Sequence, residues 1–147
     1  MWQGVREAIE TIMGSSDYLE QYFAINLVFE PLVGELFRSG FLMQAASANN
    51  DFMTPSVVTS AEGDYERNLA NTIDLIHILA NDETFGAANR ALFQTWVSKH
   101  SKLADKAAKL LQPIWSMPHS KPISFDEARA VSQERFAKIL GELNLSR

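Results

Sequence analysis

One stretch of the sequence, YLEQYFAINLVFEPLVGELFRSG over Tyr18 to Gly40, constrains the fold more than any other. Its apolar residues fall on nearly every side of a helix, which is typical of a central, enclosed helix. Glu30 lies in the middle of this stretch, directly before Pro31. Burying a carboxylate is costly without a charged or metallic partner, so the sequence predicts that Glu30 meets either a cation or a metal ion.

Periodic apolar residues and capping signals predict long helices along most of the chain, with a non-helical connector, QPIWSMPHSKP, before the last of them. A short helix ends at the glycine and serines of residues 14–16, and Asp17 is placed to cap the long helix that runs from Tyr18 towards Asn49. Three further helices are predicted: one from Thr54-Pro55 to about Ala80, one over roughly Phe85 to Leu111, and one from the Ser124 capping box to near Leu143. No window alternates as a strand does, so the predicted fold class is all-α.

Composition narrows the function classes. A chain of 147 residues is one domain's worth, and the absence of cysteine excludes disulfides, thiolate metal sites, iron–sulfur clusters and cysteine nucleophiles. The net charge of -5 argues against nucleic acid or an anionic membrane as a partner. No apolar run reaches the length of a membrane span, so we expect a cytoplasmic protein. The helical pattern starts directly at Met1, which leads us to expect a fragment of a longer chain.

Metal-ligating patterns are incomplete. A ferritin-like di-iron site takes one Glu from each of two helices and Glu-x-x-His from each of two others, and this sequence contains no Glu-x-x-His. The nearest patterns are Asp74-Leu-Ile-His77 and Asp64-Tyr-Glu-Arg67, and a histidine satisfied by a neighbouring carboxylate is the favoured interpretation of His77. An alternative hypothesis is an independent ferritin-like metal-binding enzyme. Its ligands would be Glu30, Glu66, Asp74 and His77.

Other catalytic signatures are missing from the sequence. It has no glycine-rich phosphate loop, no Gly-x-Ser-x-Gly elbow and no His-Glu-x-x-His motif. His100 and His119 lie in an amphipathic helix and in a proline-rich connector, without a carboxylate at the spacing of a metal-binding pair. The residues alone therefore favour no catalytic site in this chain.

Two long segments carry a resemblance to a known family. Residues 18–83, which include FEPLVGELFRSGF and DYERNLANT, and the segment AANRALFQTWVSKHSKLADKAAKLLQPIWSMP closely resemble the hydroxylase β (small) subunit of soluble bacterial multicomponent di-iron monooxygenases. Within this family, the chain most resembles the propane monooxygenase branch. The resemblance covers essentially the whole chain and corresponds to the C-terminal part of a family member. It implies a ferritin-like bundle of long helices, with residues 1–147 as a single helical domain within a longer β subunit.

The resemblance also implies an origin for Glu30. In the family's catalytic α subunit, one helix supplies a Glu and the next supplies Glu-x-x-His to iron, and here Glu30 and Asp64-Tyr-Glu-Arg67 resemble that pair. Arg67 stands where the histidine would be, and a guanidinium has no lone pair to give to iron. The implied feature is a vestigial-site charge cluster of Glu30, Asp64 and Arg67, with Arg67 bonded to Glu30 or Asp64, and the chain itself is expected to be non-catalytic.

The implied function is that of a structural subunit in the hydroxylase component of an NADH-dependent di-iron monooxygenase that hydroxylates small hydrocarbons. Propane is the hydrocarbon that the resemblance favours. The resemblance implies no cofactor in this chain, a di-iron centre in the α (large) subunit, and NADH with flavin and an iron–sulfur cluster in the reductase. Its implied partners are the α subunit in an α2β2 core, the coupling protein and the reductase. A helical interaction module unrelated to oxygenases remains as a further alternative.

Overall fold

Long helices make up nearly all of the molecule. The computed structural model describes residues 1–117 and 120–147, and none of these residues lies in a strand. In chain order the elements are α1 (Gln3–Met13), α2 (residues 18–48), α3 (Met53–Ala80), α4 (Gly86–Leu111), a 3₁₀ turn (Gln112–Ser116) and α5 (Phe125–Glu142). The predicted all-α class and long-helix bundle are therefore confirmed, with the helices nearly where the sequence places them.

Helix α2 changes its geometry along its length. It begins as an α-helix over Tyr18–Phe23, and its remaining segments are π-helical over Ala24–Gly34, α-helical over Glu35–Phe37, π-helical over Arg38–Met43 and α-helical over Gln44–Ala48. Pro31 lies inside the first π segment. Proline has no N–H to donate and its ring crowds the preceding turn of an ordinary α-helix, so a wider turn accommodates it without ending the helix.

Helix α2 forms the centre of the bundle. It contacts α1, α3, α4 and α5, while α1 and α4 also pack against each other. Phe23, Leu27 and Val28 are completely buried, as expected for an enclosed helix. Each such apolar side chain contributes about 1.5–3 kcal/mol when it leaves water. The prediction that Tyr18 to Gly40 lies at the centre of the fold is confirmed.

Carboxylate and hydroxyl side chains define where the helices begin. Asp17 accepts a hydrogen bond from the backbone N–H of Leu19 at 2.8 Å, as predicted. The cap of α3 differs from the prediction, because Asp51 rather than Thr54 accepts the first backbone N–H groups of that helix. Ser124 accepts from the N–H of Glu127 at 3.2 Å, which forms one half of the predicted capping box.

The connector between α4 and α5 is fastened to α2. The indole N–H of Trp115 donates to the carbonyl of Gly40 at 3.2 Å, and the Trp115 ring lies 5.1 Å from the rings of both Phe41 and Phe125. A Cβ atom on Gly40 would come within 2.7 Å of the Ala128 Cβ atom. Glycine is therefore what allows α5 to approach α2 closely at this point.

Candidate functional site

Glu30 meets a cation that is supplied by its own helix. Its carboxylate Oε2 lies 2.7 Å from Nη1 of Arg38, whose Nε also bonds Oε1 of Glu62 on α3 at 2.8 Å. The Glu30 side chain reaches Arg38 across Gly34, where a Cβ atom would stand 2.9 Å from the Glu30 carboxyl carbon and 3.0 Å from Arg38. The absence of a side chain at position 34 therefore leaves room for the ion pair.

A second arginine extends this arrangement to α5. Nη1 of Arg135 lies 2.8 Å from Glu35 Oε1 on α2 and 3.9 Å from Glu62 Oε2, and Nη2 bonds Glu66 on α3. Four carboxylates from two helices thus share two guanidinium groups. We call this set the Arg38–Arg135 cluster. Its members are Arg38, Arg135, Glu30, Glu35, Glu62 and Glu66.

Tyr65 lies against both guanidinium groups of the cluster. Its ring centre is 5.8 Å from the Arg38 guanidinium carbon and 4.9 Å from that of Arg135, within the range of cation–π attraction. The ring is 4% exposed, and its hydroxyl donates to the Asn26 carbonyl at 3.5 Å. Burial raises the pKa of the Tyr65 phenol well above its usual range, so the ring stays neutral beside the two cations.

The cluster is only partly satisfied by hydrogen bonds. Burial raises the pKa of the Glu35 carboxyl, although its bond to Arg135 acts in the opposite direction. Burial also works against the charge on Arg38, but the hydrogen bonds to Glu62 and Glu30 outweigh it and raise the pKa of Arg38. Among the described residues, buried Glu35 Oε2 and Arg38 Nη2 have no hydrogen-bond partner. Removing any one charge would leave others unpaired in a partly dry site.

Of the two partners predicted for Arg67, Asp64 is confirmed and Glu30 is wrong. Arg67 bonds Asp64 on the outer surface of α3, where the two side chains are 73% and 68% exposed. Tyr65 lies on the buried side of α3. Arg67 comes two positions later, and side chains at that spacing point to opposite sides of a helix. Asp64 and Arg67 therefore form a surface pair, and Glu30 has Arg38 as its cation.

The alternative metal site is not assembled either. Glu66 bonds Arg135, Asp74 is exposed, and His77 makes no side-chain hydrogen bond to a described residue. Over residues 1–117 and 120–147, no three His, Asp or Glu side chains are arranged to share a metal ion. His119 lies outside the described residues.

The cluster itself does not fit a di-iron centre. Guanidinium groups stand between the carboxylates, carry no lone pair for a metal and already take one oxygen of each carboxylate. A metal ion would have to displace both arginines. The arrangement can instead hold α2, α3 and α5 together by charge, which is a structural task.

A second polar group, which the sequence did not reveal, surrounds Glu20. Its Oε1 lies 2.8 Å from Nε2 of His100 and 2.7 Å from Nζ of Lys99, and its Oε2 accepts from Ser15 at 2.7 Å. We call Ser15, Glu20, Lys99 and His100 the Glu20 cluster. Helix α2 meets α4 here, and it supplies His100 with a carboxylate partner that is 80 residues away in the sequence and that no local spacing could reveal.

The Glu20 cluster has a defined charge state. Burial acts to raise the pKa of Glu20, but hydrogen bonds from Lys99, Ser15 and His100 prevail and lower it to about 2. Burial lowers the pKa of His100. A neutral His100 must carry its proton on Nε2, because the Glu20 carboxylate only accepts. Its buried Nδ1 has no hydrogen-bond partner in the part of the chain that the structure describes. This cluster also joins helices rather than presenting a reactive group.

One further structural finding concerns the lipid bilayer. Among the residues that the structure describes, no helix has the length and apolar character that crossing a membrane requires.

Comparisons with known proteins agree with the helical architecture. A model of the methane/phenol/alkene hydroxylase family matches residues 1–83. The chain is 42% identical over 144 residues to the hydroxylase component small subunit of propane 2-monooxygenase from Rhodococcus jostii (strain RHA1), which covers 98% of this chain and 39% of the relative. The chain therefore spans about two fifths of that relative's length.

Two more distant relatives have other substrates in their names. The hydroxylase component subunit beta of the toluene-4-monooxygenase system from Ectopseudomonas mendocina is 34% identical over 74% of this chain and 32% of the relative. The methane monooxygenase component A beta chain from Methylosinus trichosporium is 28% identical over 75% of this chain and 28% of the relative. The helical bundle and these matches together place the chain in the methane/phenol/alkene hydroxylase family.

Proposed function

We propose that the chain is a non-catalytic, structural part of the hydroxylase small subunit of a di-iron monooxygenase that hydroxylates small hydrocarbons. Propane is the first candidate substrate, because the relative named for propane is 42% identical whereas those named for toluene and methane are 34% and 28% identical. A structural role is consistent with the names of these relatives, which are all small or β subunits.

The observation that carries the proposal is the Arg38–Arg135 cluster. Two permanently charged guanidinium groups balance the carboxylates that face one another between α2, α3 and α5. Such a site holds helices in register and has no vacant coordination position for oxygen chemistry. The oxidation step is therefore assigned to a partner chain.

That partner, in this proposal, is a large hydroxylase subunit that contains the di-iron centre. The two chains would form an α2β2 core in the cytoplasm, on which a coupling protein and an NADH-dependent reductase with flavin and an iron–sulfur cluster act.

Co-expression with a large subunit that contains two Glu-x-x-His motifs tests this role. We expect the large subunit to co-purify with this chain, with iron found in the complex and not in the isolated chain. Arg38→Ala should lower the yield of assembled complex, whereas Arg67→Ala, its matched control on the surface of α3, should not.

Hydroxylation per iron is the deciding readout. In whatever complex Arg38→Ala still forms, turnover per iron should equal that of the unmodified protein. Stoichiometric iron in the isolated chain, or an assembled Arg38→Ala complex with altered turnover per iron, would contradict the structural role.

A further inference from the structure

A small polar cavity lies between α2 and α5, and its volume is about 100 Å3. Helix α2 contributes Glu35, Ser39 and Gln44 to its lining, and α5 contributes Ser132. Each of these four side chains carries an oxygen atom that can accept a hydrogen bond or bind a cation. We call this space the Glu35 cavity.

The geometry of α2 brings its three polar side chains to the same side of the helix. Glu35 and Ser39 are four residues apart, which is about one turn of an α-helix. Gln44 follows Ser39 after five residues, and the intervening segment Arg38–Met43 is π-helical, so its hydrogen bonds close over five residues. An uninterrupted α-helix would direct Gln44 away from Ser39. The π segment is therefore what brings Gln44 to the cavity.

Glu35 retains an oxygen that no side chain satisfies. The residue is 8% exposed, and its Oε1 lies 2.8 Å from Nη1 of Arg135. Its buried Oε2 has no hydrogen-bond partner among the described residues. Folded proteins leave few buried polar atoms unpartnered, and an ion or a water molecule commonly satisfies the exceptions.

The other polar groups of the cavity are free to act as acceptors. Ser132 Oγ donates its proton to the carbonyl of Arg129 at 3.1 Å, which leaves its lone pairs available. The side chains of Ser39 and Gln44 make no hydrogen bond to a described residue. One carboxylate, two hydroxyls and one amide together form a set of oxygen ligands, which hard cations prefer.

The charge of the lining suits a monovalent ion. The Arg38–Arg135 cluster contains four carboxylates and two guanidinium groups, an excess of two negative charges, and Glu35 is its member at the cavity. Calcium sites typically combine several carboxylates, whereas the described lining supplies one. A single carboxylate with neutral oxygen ligands balances one positive charge.

We propose that the Glu35 cavity binds one alkali cation, K+ or Na+, through Glu35 Oε2 and the side-chain oxygens of Ser39, Gln44 and Ser132. The ion supplies the charge that Arg135 does not supply to Glu35, and it connects α2 to α5. This inference concerns the folded chain itself, so it does not depend on the structural role proposed above.

Thermal unfolding of the 147-residue chain tests the site. KCl or NaCl replaces choline chloride at constant total salt, so the screening of surface charges does not change. Choline carries its charge behind methyl groups and cannot be enclosed by oxygen ligands. Once the alkali cation exceeds its Kd, each tenfold increase in concentration should raise Tm by roughly 3–5 °C. Broadening of the sodium NMR signal reports bound Na+ independently.

Three variants locate the ion. Glu35→Gln removes the charge but keeps an oxygen for Arg135, and Ser39→Ala removes a hydroxyl that bonds no described residue, so its fold is not at risk. Both should lose most of the dependence of Tm on alkali cations. Glu66→Gln is the matched control, because Glu66 also bonds Arg135 but does not line the cavity. It should keep the full dependence.

Three results would overturn the proposal. One is a Tm and a sodium signal that do not distinguish alkali chlorides from choline chloride, which would assign the cavity to water. Another is a dependence on alkali cations that is undiminished in both Glu35→Gln and Ser39→Ala. The third is a loss in Glu66→Gln as large as that in Glu35→Gln, which would attribute the effect to the charge of the whole cluster.

Discussion

At the scale of single residues, two arginines supply the positive charges that balance the carboxylates between the helices. A guanidinium is always charged, is planar and offers five N–H donors, so one arginine can bond carboxylates on two helices at once. Arg38 does this with Glu30 and Glu62, and Arg135 does so with Glu35 and Glu66. Tyr65 adds an aromatic face between them. The cluster therefore joins three helices through a few side chains.

Removal of Arg38 should be far more costly than removal of Arg67. Arg38→Ala leaves Glu30 without its cation, and leaves Glu62 with only its 3.9 Å contact to Arg135, in a site that is about four fifths buried. We therefore expect a loss of about 3 kcal/mol in the free energy of unfolding. Arg67→Ala removes an exposed pair with Asp64 and should change it by less than about 1 kcal/mol. Urea unfolding followed by circular dichroism measures both; equal losses would contradict the cluster's role.

Glu20 should make the fold sensitive to acid. Its pKa is lowered from 4.5 to about 2 in the folded protein, so the stability that it contributes is fully present above about pH 4.5 and is lost as the pH falls towards 2. The lowered pKa of His100 acts in the same direction below its ordinary value of 6.5. Thermal unfolding across this range should show the decline.

Glu20→Gln serves as the comparison for this prediction. It removes the titrating carboxylate, so the difference in stability between the two proteins should shrink as the pH falls from about 4.5 towards 2. The exposed Asp51 and Glu134 also have lowered pKa values, but they are present in both proteins and cancel in the difference. A constant difference between the two proteins would show that Glu20 does not titrate as described.

The sequence indicated that Glu30 needs a partner, but it could not identify which one. Arg38 lies eight residues away on the same helix, beyond the spacings of three and four at which helical side chains are expected to pair. The missing side chain at Gly34 and the π segment around it make that contact feasible, and both effects depend on the folded structure. Arg135 comes from α5, and no local pattern connects it to Glu35.

At the scale of helices, local patterns predicted most of what is observed. Apolar periodicity and the Asp17 and Ser124 caps give nearly the observed bounds, because these signals act within one turn. The π segments of α2 were not predicted. They reflect how a helix enclosed by four others and interrupted by Pro31 is packed, and packing is decided by residues far away in sequence.

Two glycines within helices should respond in opposite ways to the same substitution. Gly40→Ala forces a methyl group against Ala128 at 2.7 Å and should destabilise the fold by about 1–3 kcal/mol. A Cβ atom at Gly63 would have no atom of the described residues within 4 Å, so Gly63→Ala should stabilise α3 by about 0.5–1 kcal/mol, since alanine is the better helix former. Thermal unfolding of the two variants checks this, and a stabilised Gly40→Ala protein would contradict the close approach of α2 and α5.

At the scale of the whole molecule, several large apolar side chains are exposed together at the start of α3. Phe52, Met53 and Val57, at the start of α3, are 82%, 76% and 68% exposed. Met53 and Val57 are one helical turn apart, so they present an apolar surface that water solvates poorly. Such surfaces favour association between molecules.

We therefore expect the isolated chain to self-associate as its concentration rises. Replacing Phe52 and Val57 by serine should shift the light-scattering mass towards that of a monomer, because these side chains contribute little to the core. Leu110→Ser, at a position on α4 that is 40% exposed and outside this surface, is the control and should leave association unchanged. A monomer at every concentration tested would contradict this expectation.

The arginines of the cluster also bear on how a cell would build such a complex. Because the counter-charges of the carboxylates are part of the polypeptide, no transition-metal ion is required to balance them. In the structural role proposed above, we therefore expect this chain to fold equally well with and without iron in the medium.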